Sequence, residues 1–265
     1  MPSNPVRRAV ALVAATSALA FFAPVASGSH SWGGYHWART ANPFTVELGD
    51  NVSAAWDAAL AVASKDWSAS AVLDTQLAPG LANPKNCRPT AGRVEVCNAA
   101  YGSNGWLGIA TISISGGVHV TQGTVKLNDT YFRTAKYNTP AWRALVMCQE
   151  IGHTFGLDHQ DENFSNANLG TCMDYTNNPD SNQHPNAHDY IELEAIYSHL
   201  DSTNTIGQST AAGFAADPDH DDPGSWGRLV RQSRGGLLQT YELDHGHGFK
   251  TVRFVFWAEE RGRRH

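Results

Sequence analysis

The apolar and polar positions fall into recognisable periods along most of the chain. Phe44-Thr45-Val46-Glu47-Leu48 alternates, which predicts a strand over 44–48 closed by Gly49-Asp50. Trp56, Leu60, Ala63 and Trp67 are spaced 4, 3 and 4, the rhythm of one helical face, so a helix is expected over 53–66. A strand at 72–77 comes next, then a loop holding Pro79, Gly80, Pro84 and Pro89. Strands are expected at 93–97, 106–114 and 124–127, with Gly102, Gly105, Gly116, Gly117 and Gly123 between or beside them. Thr139-Pro140 is a helix start, an N-cap threonine followed by proline at the first helical position. That helix uses Leu145, Val146 and Phe155 as its apolar face and stops at Gly156. A last helix is expected over 187–200, with Tyr190, Leu193, Tyr197 and Leu200 as its buried stripe. Two strands, 237–243 and 249–257, flank His245-Gly246-His247-Gly248 and predict a hairpin. Residues 29–42 read as an irregular lead-in, and no internal repeat relates the segments.

Composition changes this picture at the two ends. Residues 1–28 read as an export signal: Arg7 and Arg8 precede a run of small apolar residues, and Val25-Ala26-Ser27-Gly28 offers a cleavage point. A transmembrane anchor fits less well, because small residues dilute the run and Pro24 ends it. Residues 203–226, rich in Asp, Ser, Gly and Pro, read as a linker, leaving 227–265 as a small β extension. A net charge of −6 argues against nucleic acid as a partner, and Arg261, Arg263 and Arg264 read as a solvated tail. Four cysteines in an exported chain imply two disulfides with three connectivities open. Cys87–Cys97 is favoured because it closes a short loop, and a cysteine-held zinc is disfavoured because no C-x-x-C pair occurs.

The chemistry concentrates in one stretch, Gln149-Glu150-Ile151-Gly152-His153-Thr154-Phe155-Gly156-Leu157-Asp158-His159. Residues 149 and 153 are four apart and lie nearly one above the other on a helix. Glu150 lies about 100° further round, able to reach a water on a shared ion without ligating the ion. Gly156 lets the chain double back, so that His159 approaches from another direction. Three protein ligands and an open position are the arrangement of a catalytic zinc.

This stretch resembles the metzincin zinc motif H-E-x-x-H-x-x-G-x-x-H. Glu150, His153, Gly156 and His159 match, and Gln149 stands where the first histidine belongs. A downstream Gly170-Thr171-Cys172-Met173-Asp174-Tyr175 resembles the methionine turn of that family, the fifth match. The resemblance covers about residues 43–201 and is strongest over 149–175. It implies an α+β catalytic domain at 29–202: a twisted mixed sheet with an N-terminal helix, an active-site helix and a C-terminal helix, in matrixin-like order. It implies a Zn2+ cofactor held by Gln149, His153 and His159, with Glu150 as general base and Met173 as an apolar floor. It also implies a Cys148–Cys172 disulfide, because the methionine turn lies beside the helix. Tyr175 looks like the tyrosine that astacins and serralysins use as an extra ligand or oxyanion stabiliser; a packed tyrosine with a bonded hydroxyl is the competing reading. The implied partner is a protein or peptide in extended conformation, outside the cell and away from membranes, added to an edge strand for which 106–114 is the candidate, an internal strand there being the competing reading.

Gln149 leaves three outcomes. A neutral amide oxygen is a weaker zinc donor than imidazole, so Gln149 ligates weakly, or stays out and leaves two histidines with waters or Tyr175, or marks a degenerate site. The last outcome gives the competing function, a catalytically silent metzincin-like fold that binds protein or glycan. Asp161, Glu162 and Asn163 form a candidate Ca2+ turn, but their spacing matches no defined loop and a solvated acidic turn is the favoured reading.

Overall fold

A computed structural model describes residues 1, 30–161, 163–209, 222–233 and 235–259. The expected export signal lies outside these apart from Met1, as does the middle of the expected linker. The fold is α+β, and the described residues form a mixed sheet of nine strands and four α-helices.

The period-2 stretch at the start becomes β2 (Phe44–Asn51), preceded by a short β1 (His36–Trp37) inside the supposed irregular lead-in. α1 (Asp57–Trp67) begins four residues later than expected, because the backbone at Ser53 and Trp56 forms a turn closed at 2.8 Å. Its face is as the spacing demands: Trp56, Leu60, Ala63 and Trp67 are all buried. β3 (Leu73–Pro79) returns parallel to β2, which requires a crossover helix between them, and α1 is that helix. β4 (Val94–Ala99), β5 (Trp106–Ser115) and β6 (His119–Asn128) follow, with a short α2 (Asp129–Phe132). Next come α3 (Pro140–His153) and α4 (Ala187–Ile196). The chain closes with β7 (Arg228–Gln232), β8 (Leu238–Gly246) and β9 (Phe249–Trp257). The strand order is β3-β2-β4-β6-β5-β9-β8-β7, with β1 also paired to β6.

α4 stops at Ile196 rather than at residue 200. Tyr197 leaves helical geometry at φ −100° and ψ 24°, and its hydroxyl donates to the Phe155 carbonyl at 2.9 Å. Leu200, expected in the buried stripe, is 58% exposed. The capping at the other end is complete: Asn186 and Asp189 form a reciprocal capping box.

The C-terminal hairpin departs most from expectation. It is no separate appendage, because β9 pairs antiparallel along β5 and carries β8 and β7 with it into the same sheet. The candidate edge strand at 106–114 is therefore an interior strand. The reason lies in β9 itself, whose two faces are both buried and both carry large apolar side chains. Val252, Phe254 and Phe256 enter the main core, while Val255 and Trp257 join Trp106, Ile109, Trp226 and Leu237 on the other face. A strand buried on both faces needs partners on both sides, and β5 supplies one. The hairpin turn is as the glycines suggest. His247 and Gly248, at φ 53° and 79°, link β8 to β9 with both central residues at positive φ, as a tight twist-matched turn needs.

Both disulfides are the favoured ones, Cys87–Cys97 and Cys148–Cys172. The second ties α3 to the segment carrying Met173 across a separation of 24 residues. Closing a loop of that length in the unfolded chain stabilises the fold by about 3 kcal/mol. Replacing both Cys148 and Cys172 by serine should lower the unfolding free energy by about that amount. Urea denaturation of the double variant checks this, and an unchanged midpoint would show that the bridge constrains nothing.

Candidate functional site

α3 opens as its sequence dictates. The Thr139 side chain accepts from the Trp142 backbone N–H at 3.2 Å, and Pro140 fills the first turn where no donor is needed. Gln149, Glu150 and His153 lie in its last turns, and each is at most 1% exposed. Past His153 the chain turns at Gly156, whose φ is +93°. A Cβ there would lie 2.1 Å from the Tyr35 carbonyl oxygen, so glycine is required by space as well as by conformation. The turn brings His159 back over the end of the helix.

The two imidazoles converge. His153 Nε2 and His159 Nε2 are 3.0 Å apart. His153 Nδ1 donates to the Leu157 carbonyl at 2.9 Å, which leaves its Nε2 as the lone-pair nitrogen. His159 Nδ1 meets the Tyr175 hydroxyl at 3.0 Å. Tyr175 therefore bonds the ring nitrogen that turns away from His153, in a position to orient His159. Burial pushes both imidazoles well below the usual histidine range, aided at His153 by His159 and at His159 by Arg231. Both rings are neutral at pH 7, the form that ligates a metal.

Gln149 donates from Nε2 to the Cys172 carbonyl at 2.9 Å, while its Oε1 is buried without a hydrogen-bond partner. Glu150 Oε2 is likewise buried and unpartnered. Burial raises the Glu150 carboxyl well above its ordinary value, opposed by a hydrogen bond from the Ala110 backbone. The carboxyl sits against Gly108 of β5, where a Cβ would come within 2.6 Å of Glu150 Oε1. Met173 is fully buried and packs beside the helix: a Cβ on Gly152 would lie 2.7 Å from its Sδ and 2.6 Å from the Trp67 ring. Asp161, expected in the acidic turn, bonds Asn163 and Asn166; Glu162 lies outside the described residues.

The donor set suits a zinc ion in kind. Two donors about 2.0–2.1 Å from a shared zinc in a tetrahedron stand about 3.3 Å apart, close to the imidazole separation found here. The orphaned Gln149 oxygen is an acceptor lacking a positive partner, which is what a third ligand looks like before metal is added.

Two neighbours were not legible in the sequence. Phe254 of β9 stacks on the His153 ring, centroids 4.3 Å apart and planes within 5°. Arg231 of β7 pairs with Asp158 between the two histidines' segments and also lies over the Trp32 ring. Asp158 in turn accepts from the His159 backbone at 2.8 Å. The Phe254 and Arg231 contacts follow from β7–β9 folding over the end of α3, a meeting of segments 73 or more residues apart that no local pattern encodes.

No protein-family model matches the chain, and no curated protein matches it significantly. Among the described residues, no helix is long and apolar enough to cross a membrane.

Proposed function

We propose that the chain is an exported zinc-dependent endopeptidase of metzincin type, held latent by its own C-terminal strands. The observation that carries this is the 3.0 Å approach of His153 Nε2 to His159 Nε2 at a helix end, beside two buried side-chain oxygens without hydrogen-bond partners, Gln149 Oε1 and Glu150 Oε2. A zinc ion held by His153, His159 and Gln149 would supply a Lewis acid for the scissile carbonyl and acidify an attacking water.

The protein's own groups do the rest. Glu150 takes the proton of the attacking water and returns it to the leaving amine. Tyr175 and the Leu157 carbonyl fix the two imidazole rings from behind. An extended peptide would add to β5, whose outer backbone groups are engaged by β9 in this state. Substrate and β9 thus compete for one strand edge, and Phe254 occupies the space over His153. Activity requires that the hairpin move aside.

The closed arrangement also favours a second reading, a silent protein whose former site has become core. Elemental analysis after zinc loading, comparing wild type with His153→Ala, separates the two. Loss of one equivalent in the variant supports the peptidase; identical content in both sinks it. Gln149→His should tighten zinc binding at that site by about 1.4 kcal/mol or more, tenfold in affinity, since imidazole nitrogen replaces an amide oxygen. An unchanged dissociation constant would remove Gln149 from the ligand set.

A further inference from the structure

A second cluster of imidazoles lies outside the site just described. His36 of β1, His119 at the start of β6 and Asp201 after α4 each place one ligand atom within 4.8 Å of the others. His199 joins them from the same segment as Asp201. His36 Nε2, His119 Nε2 and His199 Nε2 lie 3.4, 3.3 and 3.7 Å from one oxygen, Asp201 Oδ1. His36 Nε2 and His199 Nε2 are 3.2 Å apart.

We propose that His36, His119, His199 and Asp201 form a second zinc site, a structural clamp independent of the peptidase centre.

The distances have the scale of a coordination shell. Four donors in a tetrahedron about 2.0–2.1 Å from one zinc stand about 3.3 Å from each other. Asp201 Oδ1 to each of the three nitrogens, and His36 Nε2 to His199 Nε2, span 3.2 to 3.7 Å, around that value, and the His119 donor lies within 4.8 Å of those of His36 and Asp201. Three imidazole nitrogens and one carboxylate oxygen are donors that zinc accepts.

The surroundings aim the donors inward. His36 Nδ1 lies 2.8 Å from the Gly34 carbonyl, which can only accept, so Nδ1 carries a proton and Nε2 is the nitrogen turned to the cluster. That nitrogen faces the Asp201 carboxylate oxygen and another imidazole nitrogen. A cation at the centre would satisfy all of them at once. Asp201 Oδ2 is engaged by the Arg39 guanidinium at 2.9 Å and the Arg39 backbone N–H at 3.2 Å, which leaves Oδ1 for the three Nε2 atoms. A carbonyl behind a ligating histidine and a guanidinium behind a ligating carboxylate are outer contacts of the kind that orient metal ligands.

The four residues come from three distant parts of the chain. An ion there would pin the N-terminal segment and the β5–β6 turn to the segment after α4. A cation-free alternative, in which protonated histidines surround Asp201, makes the opposite prediction for metal uptake.

The test uses the full-length His153→Ala/His159→Ala variant, stripped with chelator and titrated with zinc chloride by calorimetry. One equivalent should bind, because the clamp is intact. Adding His119→Ala, a side chain 28% exposed and so tolerant of change, should weaken that binding at least tenfold. No uptake by the double variant, or uptake indifferent to His119→Ala, overturns the proposal. If the double variant does not fold, the thermal midpoints of wild type and His119→Ala are compared with and without zinc. A zinc-induced rise smaller by several degrees in His119→Ala supports the site, and equal rises overturn it. Because the peptidase ligands are deleted or constant in each comparison, failure here is distinct from failure of the peptidase reading.

Discussion

Phe254→Ala should make the protein less stable and more active at once. Phe254 is 1% exposed, with its ring flat against His153 and edge-on to Trp32. Removing a buried phenylalanine ring costs about 3–5 kcal/mol of folding stability. Much of that loss falls on the interface between β9 and the end of α3, so the free energy needed to lift the hairpin falls too. Each 1.4 kcal/mol raises the open population about tenfold, so a local loss of about 3 kcal/mol raises it roughly a hundredfold. If access is what limits hydrolysis, the rate on an unfolded protein substrate rises in proportion until the site is mostly open. The measurement pairs urea denaturation with hydrolysis by zinc-loaded protein. A variant that loses stability while hydrolysing no faster than wild type would contradict the latent state. Opposite signs in the two assays are the diagnostic, because ordinary damage to a core lowers both.

What could be read from the sequence was what is encoded locally. The face of α1 and the start of α3 were legible because a 4-3-4 spacing and a Thr-Pro pair act within a few residues. The approach of His153 to His159 was legible for the same reason: a helical period, a glycine at the turn, and a short return. The 106–114 strand is legible as a strand, but the choice between edge and interior is not, since its partner lies some 140 residues on and pairing depends on β9 burying both of its faces. β7, Arg-Leu-Val-Arg-Gln with no buried residue, gave no periodic signal at all. Tyr197 read as one more residue in a helical stripe, and its hydroxyl bonds to Phe155 and Trp37 take it out of the helix instead. The His36, His119, His199 and Asp201 cluster could not be found by spacing, because its members span 165 residues and meet only in the folded sheet. Local chemistry was thus readable, and whatever two remote segments make together was not.

Glu150→Gln should abolish most hydrolysis while leaving the fold at least as stable at neutral pH. Glutamine keeps the shape and the hydrogen bond to the Ala110 backbone but has no base, and losing a positioned general base costs about 10²–10⁴ in rate. Zinc content should not change, since Glu150 is not among the assigned ligands. The stability half of the prediction has a sign that can be worked out. Burial raises the Glu150 carboxyl well above its value in the unfolded chain. Between those two values the metal-free folded protein holds a proton that the unfolded chain has released. The stability that Glu150 contributes is therefore full below about pH 4.5 and is lost as pH rises toward the raised folded value. The slope is at most about 1.4 kcal/mol per pH unit for one proton. The amide variant, with no proton to release at this position, has no such slope. Unfolding free energies of wild type minus variant, measured in chelator from pH 5 to 8, should thus fall as pH rises, with the common contributions of His153 and His159 cancelling. A difference that stays flat would mean that Glu150 is ionised and solvated in the folded state. A variant that hydrolyses as fast as wild type, with zinc bound, would mean that the proton is carried by some other group.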